Sequence, residues 1–343
     1  LIKAERKRFA MEKINVGVIG TGRIGRIHGR NLKFQIPGAR LAAVADVMAK
    51  SVREFAADLE VPVCETDYHR ILENKDIQAV VICSSTDSHA RIITEAAQAG
   101  KDIFCEKPIA LDLGKIDQAL EAVRQAGVKL MVGFNRRFDP GFKKAQETVK
   151  AGKIGTPQLI RISSRDPELP PPEYVKVSGG LFLDMMIHDF DMARFLAGEV
   201  AELLAVGKCL VDPVIGQLGD IDTAVVTLKY QSGALGVIDN SRRAVYGYDQ
   251  RIEVFGSEGA VIVGNKTPTE MALYNAETIQ TEKPLFFFLE RYQEAYLAEM
   301  NHFVQAILNN SQPSVGGSDG KISVQMGYAA NESMSSHKFV SIK

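Results

Sequence analysis

The sequence predicts an α/β protein: an N-terminal doubly wound parallel sheet followed by an α+β domain with a largely antiparallel open sheet. Three observations carry this reading. From Lys13 to Gly133, short apolar runs alternate with amphipathic segments, the pattern of stacked βαβ units. The first of those runs ends in a glycine-rich turn that opens a helix. After Phe134 the alternation gives way to one or two helices and then a series of longer strand-like runs, as in an α+β domain. A chain of 343 residues suits two domains, one domain being typically about 150 residues.

The elements follow in order. LIKAERKRFA (1–10) is basic and precedes Met11, and is expected to be an extension outside the fold. Strands are expected at 14–19, 40–45, 79–84, 102–106 and 129–134. Between them RIGRIHGRNLKF, MAKSVREFAADL, SHARIITEAAQA and LGKIDQALEAVRQA have helical apolar spacing, so 11–133 forms the first domain. The second domain, 134–343, should begin with a helix near 140–151, a strand at 158–164, a proline-rich loop at 166–174 and a helix over 180–197. Strands at 201–211, 221–230, 234–242, 249–256 and 259–263 come next, and helices near 288–309 and 319–336 close the chain.

Composition excludes several roles. Lysine plus arginine number 41 against 42 acidic residues, a formal net charge of −1, so no global basic field gathers nucleic acid or an anionic membrane surface. No apolar run reaches the ~18 residues that a spanning helix needs. Cys64, Cys83, Cys105 and Cys209 are widely separated and form no C-x-x-C pair, and are expected to be reduced thiols of a cytoplasmic protein.

Gly20-Thr21-Gly22-Arg23-Ile24-Gly25 lies where a strand turns into a helix, the context in which G-x-G-x-x-G binds a dinucleotide. Gly20 permits the turn, Gly22 lets a pyrophosphate approach the backbone, and Gly25 allows close helix packing. The helix N-terminus offers free N–H groups to the phosphates, and Arg23 and Ile24 belong to the same turn. Asp46 ends the second expected strand, about 20 residues on, where a carboxylate accepts hydrogen bonds from ribose hydroxyls and repels a 2′-phosphate. NAD is therefore expected rather than NADP, although Asp46 also suits capping of the next helix. Ser84, Ser85 and His89 lie at the end of another strand at the sheet's carboxyl edge, as candidate contacts on the nicotinamide side, with simple helix capping by Thr86, Asp87 or Ser88 as the alternative reading.

Glu106-Lys107-Pro108 closes a further strand and directs Lys107 toward the crevice. Asp184 and His188 are four apart in GGLFLDMMIHDFD, and on one helix they would differ by about 40° and ~6 Å in rise, sharing a face. A buried carboxylate and imidazole either satisfy each other structurally or move a proton. No third His, Cys or Glu stands at ligand spacing, so no metal is expected.

With GTGRIG, Asp46, CEKP, GFNRRFD (133–139), GGLFLDMMIHDFD (179–191) and YGYD (246–249) in that order, the chain resembles the Gfo/Idh/MocA oxidoreductases. Within them it is most similar to the inositol 2-dehydrogenases. The resemblance implies a Rossmann domain, then a C-terminal domain whose open sheet serves assembly into a homotetramer or homodimer. It implies Lys107, Asp184 and His188 as the catalytic set, and Asn135, Arg136 and Tyr248 as groups of the substrate pocket. Glu106 and Lys107 would also face the cofactor, and the loop Ser163–Tyr174 would line the polyol site. The implied reaction is NAD-dependent oxidation of a ring hydroxyl, myo-inositol to 2-keto-myo-inositol. The alternatives are scyllo-inositol or a hexose as substrate, an NAD-dependent glycosidase, or a non-catalytic dinucleotide sensor.

Overall fold

The computed structural model describes residues 13–342, so the expectation for residues 1–10 lies outside the described residues. The chain divides into two units, one comprising the chain up to Gly133 with Tyr296–Gly320, the other Phe134–Ala295 with the chain from Lys321 onward.

The first unit contains β1 (Ile14–Ile19), α1 (Arg23–Phe34), β2 (Ala39–Ala45), α2 (Ala49–Asp58), β3 (Val63–Glu65), α3 (His69–Glu73), β4 (Ala79–Ile82), α4 (Thr86–Gln98), β5 (Asp102–Glu106), α5 (Leu113–Ala126) and β6 (Leu130–Gly133). Its six strands are all parallel, in the order β3-β2-β1-β4-β5-β6. Helices on both faces of such a sheet make its central strands near-continuous apolar runs, and Val16, Val18, Val80, Val81, Ile103 and Phe104 are fully buried. The chain reverses its direction of winding between β1 and β4, where a doubly wound sheet opens a crevice at its carboxyl ends. β3 was not expected from the sequence: three residues at the sheet's edge, with Cys64 exposed, are too few to show a period.

In the second unit a 3-10 turn (Asn135–Phe138) leads to α6 (Pro140–Lys150), β7 (Pro157–Arg165), α7 (Pro172–Ser178), α8 (Leu181–Asp184), α9 (Ile187–Ala197), β8 (Val200–Lys208) and α10 (Pro213–Gln217). There follow β9 (Thr223–Tyr230), β10 (Leu235–Ser241), β11 (Asp249–Gly256), β12 (Gly259–Val263), a hairpin of β13 (Ala272–Tyr274) and β14 (Ile279–Thr281), and α11 (Phe288–Arg291). The chain ends with α12 (Gln293–Leu308), α13 (Gly317–Ser336) and β15 (Val340–Ser341). The seven-stranded sheet runs β12-β11-β7-β10-β9-β8-β15, antiparallel except for the β7–β10 pair. Period-two alternation buries Ile160, Ile162, Val226, Leu228, Ile238, Ile252 and Val254 on one face. The opposite face exposes Val206, Val225, Leu235, Phe255 and Ile262.

Four expectations change, the simplest being the helix near 288–309, which is two, α11 and α12, separated at Tyr292. The proline-rich segment ends in a helix, α7, because Pro172 suits the first turn, where no N–H is needed. The helix expected over 180–197 is two, because His188 N–H bonds Met185 O rather than Asp184 O and interrupts the regular ladder at Met185–Met186. The C-terminal segment is shared: Phe303 packs edge-on to Phe104 at 5.8 Å, and Val132 N–H donates to Val315 O at 3.2 Å, which ties Tyr296–Gly320 to the parallel sheet. No helix among the described residues is long and apolar enough to cross a membrane.

Candidate active site

The glycine-rich turn joins β1 to α1. Gly20 has φ +95°, and a Cβ there would lie 2.5 Å from the Cys83 carbonyl, so the turn is open only to glycine. A Cβ on Gly25 would fall 1.9 Å from the Gly20 carbonyl oxygen, so α1 starts as close to the sheet as backbone permits. At Gly22 a Cβ would meet nothing within 4 Å, leaving exposed N–H groups at a helix start open to a phosphate. Arg23 is exposed and Ile24 half-buried beside it. Asp46 Oδ2 accepts from Thr21 N–H at 2.6 Å and Thr21 Oγ1 at 3.0 Å, while Oδ1 accepts from Met48 N–H at 2.9 Å. The carboxylate thus braces the turn and the approach to α2 while remaining half-buried, with lone pairs left for ribose hydroxyls. The cradle fits a dinucleotide.

On the other side of the switch point, Ser84 Oγ and Ser88 Oγ share a hydrogen bond of 2.7 Å, and Ser85 is exposed. His89 corrects the expectation for it. Its Nδ1 lies 2.8 Å from Pro108 O and its Nε2 3.0 Å from Ser84 O, so the buried ring sits between the backbone carbonyls of two loops and donates to one of them. Glu106 ends β5, with Lys107 half-buried at the sheet's carboxyl edge and the Lys107–Pro108 peptide cis.

In the second unit Asp184 ends α8 and His188 is the second residue of α9, both half-buried. Gly180, at φ +83°, makes room for Asp220, whose Oδ1 accepts from Leu181 N–H at 3.0 Å and starts α8. Asp184 Oδ1 accepts from the Tyr174 hydroxyl at 2.7 Å, and its Oδ2 lies 3.3 Å from Arg242 Nη1. Arg242, with a side chain 2% exposed, also faces Asp220 Oδ2 at 3.7 Å. The His188 ring packs edge-on to Phe134, 6.0 Å between centroids. Asp166 follows β7, and burial, with Asp184 adding to it and Arg242 opposing it, pushes its carboxyl up to about 6. Burial likewise raises the Tyr174 phenol, with Asp184 contributing.

Arg136 also takes a different place from the one expected. Its Nη1 donates to Asp189 Oδ1 at 2.5 Å and to Ser164 Oγ at 2.9 Å, with the side chain 5% exposed. Asn240 Nδ2 donates to the other Asp189 oxygen at 3.0 Å, and Arg137 grips Asp191 through two bonds of 2.8 and 2.5 Å. The adjacent arginines of NRRF therefore clamp the two aspartates of HDFD, and the clamp fixes the α9 turn that presents His188. Asn135 is buried in the 3-10 turn next to this clamp. Tyr248 is buried edge-on to Tyr292 at 6.0 Å, and burial raises its phenol well above the usual range. Sequence reasoning passed over Tyr174, Arg242 and Asp166, although all three lie in segments it singled out. Nothing in their spacing marks them as partners of Asp184.

A glycine-rich strand-to-helix turn, braced by an acidic strand end on a sheet of this order, defines a dinucleotide-binding protein of the Rossmann type. Residues 14–134 match the oxidoreductase family with an NAD-binding Rossmann fold, and residues 142–262 match the GFO/IDH/MocA C-terminal domain. The chain belongs to the Gfo/Idh/MocA oxidoreductases, with NAD as its cofactor. It is 49% identical to the myo-inositol 2-dehydrogenase of Thermotoga maritima, over 96% of this chain and 99% of that protein. It is 44% identical to the inositol 2-dehydrogenase of Rhizobium meliloti, over 96% and 99% respectively. Among solved structures, scyllo-inositol dehydrogenase from Lactobacillus casei with bound NAD(H) and scyllo-inositol superposes with a TM-score of 0.90 at 31% identity, over 96% and 99% of the two chains.

Proposed function

We propose that the chain oxidises one secondary ring hydroxyl of a cyclic polyol, with myo-inositol converted to 2-keto-myo-inositol. The observation that carries this reading is the treatment of Asp184. A tyrosine hydroxyl and a buried guanidinium hold its carboxylate at the end of α8, four residues before the imidazole of His188 at the start of α9. Relatives 44 to 49% identical over nearly the whole chain and named for inositol oxidation support it.

Gly20, Gly22, Gly25, Arg23, Ile24 and Asp46 would hold the pyrophosphate and adenosine side of the cofactor, and Ser84, Ser85, Glu106 and Lys107 the nicotinamide side. When bound, NAD supplies the hydride acceptor. In this reading His188 takes the proton of the reacting hydroxyl at a ring nitrogen. Asp184, fixed by Tyr174 and Arg242, favours the protonated imidazole that results. Lys107 stabilises the developing alkoxide, and Asn135 and Tyr248 shape the polyol pocket. Arg136 contributes by holding Asp189, and so the turn that bears His188.

The protein is further proposed to be cytoplasmic, in keeping with its four free cysteines, and a homo-oligomer, dimer or tetramer, since the open sheet face carries exposed Val206, Val225, Leu235, Phe255 and Ile262. Light scattering of the purified protein reads the subunit number directly. For the activity, the protein is incubated with NAD+ and a panel of myo-inositol, scyllo-inositol and pyranoses while NADH is followed. Net NADH with myo-inositol at the highest kcat/KM is expected, and His188→Ala should lower kcat about a hundred-fold or more. No NADH with any inositol, or His188→Ala within a few-fold of the parent, refutes the proposal.

A further inference from the structure

The first unit holds a polar cluster that the alcohol chemistry leaves unused. His28, in α1, is fully buried, with its ring edge-on to Phe104 at 5.0 Å and to Tyr296 at 5.7 Å. Its Nε2 lies 2.7 Å from Glu106 Oε1 and 3.9 Å from Glu299 Oε1. Glu299 comes from α12, is 0% exposed, and neither of its carboxyl oxygens has a hydrogen-bond partner. A Cβ on Gly133 would come 2.9 Å from Glu106 Oε2, so glycine at the end of β6 leaves room for that carboxylate.

One His and two Glu this close also form a set that could hold a divalent cation. The geometry argues for a proton instead. Ligands sharing a metal at about 2.0–2.2 Å stand about 3 Å or more apart, whereas 2.7 Å is a direct hydrogen bond. Both carboxyl groups lie on the Nε2 side of the ring, and Nδ1 is buried with no partner at all, so the ring proton belongs on Nε2. Burial, and after it the charge of Glu106, push Glu299 well above the usual carboxylate range. An apolar side chain of that size would be less costly at a fully buried position, which makes the acid informative.

We infer that His28 and Glu299 are positioning residues for the cofactor. His28 donates from Nε2 to Glu106 and holds its carboxylate at the carboxyl edge of the sheet, where the nicotinamide side of the cofactor is proposed to lie. Glu299 places its carboxyl 3.9 Å from the same nitrogen and so backs the ring orientation that makes this bond. The inference deepens the cofactor side of the proposed site and rests on NAD binding, not on the choice of polyol.

The test compares His28→Gln with His28→Leu, and Glu299→Gln with Glu299→Leu, in the full chain. NADH binding is read by fluorescence titration, kcat and the KM for NAD+ by steady-state kinetics, and folding by thermal unfolding. His28→Leu fills space without donating and should weaken NADH binding and raise the KM for NAD+ about ten-fold, with kcat within about three-fold. His28→Gln, whose amide can donate, should stay within about three-fold of the parent, and Glu299→Gln, a neutral isostere, likewise. Glu299→Leu should fall between them, and this pair decides the matter if a His28 variant does not fold. If the leucine variants bind NADH as tightly as the glutamine variants, the cluster only packs and the inference is overturned. A loss confined to kcat, or one divalent cation per chain whose chelation abolishes NADH binding, overturns it too. A parent that turns over no polyol leaves the NADH titration readable, so this failure and that of the proposed activity are distinguishable.

Discussion

In the nucleotide cradle the decisive residues lie within one turn of chain and act through backbone that a side chain would obstruct. The acid–base region is assembled differently: Asp184 and His188 are held by Tyr174 from α7, Arg242 beyond β10, Asp220 beyond α10 and the Arg136–Asp189 clamp. The first kind of site needs small residues at fixed intervals. The second needs large charged residues brought from far along the chain, each of which must be paired once buried.

The contrast is broken most severely at Gly25. Alanine there would place a Cβ 1.9 Å from the Gly20 carbonyl oxygen, so α1 must move away and the turn with it. Gly25→Ala should raise the NADH dissociation constant about a hundred-fold and lower the melting temperature. Gly22→Ala is the sharper companion, because its Cβ meets no protein atom within 4 Å. The melting temperature should then be unchanged while NADH binding weakens about ten-fold. Equal stability losses in the two variants would mean that Gly22 serves the fold and not the nucleotide.

Arg242→Met tests the other kind of construction. It removes a guanidinium, 2% exposed, from between Asp184 and Asp220, and breaking a buried pair from one side typically costs about 3–5 kcal/mol. Unfolding by urea should register that loss, kcat should drop about thirty-fold, and NADH affinity should stay within about two-fold. An Arg242→Met enzyme with normal kcat would separate Asp184 from catalysis.

The same contrast explains what could be read in advance. The parallel sheet is legible because strands buried on both faces are unbroken apolar runs, and the cradle because glycine at Gly20 and Gly25 is sterically required. The edge strand at Val63–Glu65 was not, being too short to have a period. Asp184 and His188 could be singled out by their spacing, but the helix they were expected to share breaks at Met185–Met186. Their partners had no local signature: Arg242 looks like any arginine after a strand until the fold buries it against Asp220. Arg136 enters the expected substrate pocket through the family resemblance alone, and nothing in NRRF itself points to a clamp. Only the structure shows that the neighbouring pair Arg136 and Arg137 answers the pair Asp189 and Asp191.

Asp166 gives a subtler handle on the second region, through pH. Its carboxyl is pushed up to about 6 by burial, above the ~3.9 of an unfolded chain. Between those values the folded protein keeps a proton that the unfolded chain has released, so stability falls as pH rises from about 4 through about 6 and the deficit then persists. Asp166→Asn, which cannot ionise, should be more stable than the parent by about 1–2 kcal/mol at pH 8 and equal to it at pH 4, by urea titration at both. A gain of the same size at both pH values would assign the effect to packing instead.

The smallest expected change is at Tyr174. Its hydroxyl gives Asp184 one hydrogen bond of 2.7 Å, while Arg242 remains in Tyr174→Phe to hold the other oxygen. One such bond to a charged group amounts to about 1.5 kcal/mol, so kcat should fall about ten-fold at most. The ring itself is half exposed, so phenylalanine keeps what packing there is and stability should scarcely change. The informative quantity is the coupling with Arg242→Met. If both residues act by orienting Asp184, the double variant should lose less kcat than the product of the single losses, because both losses act through the same carboxylate. Multiplicative losses would show that Tyr174 acts on something other than Asp184, and the most direct candidate would be the substrate itself.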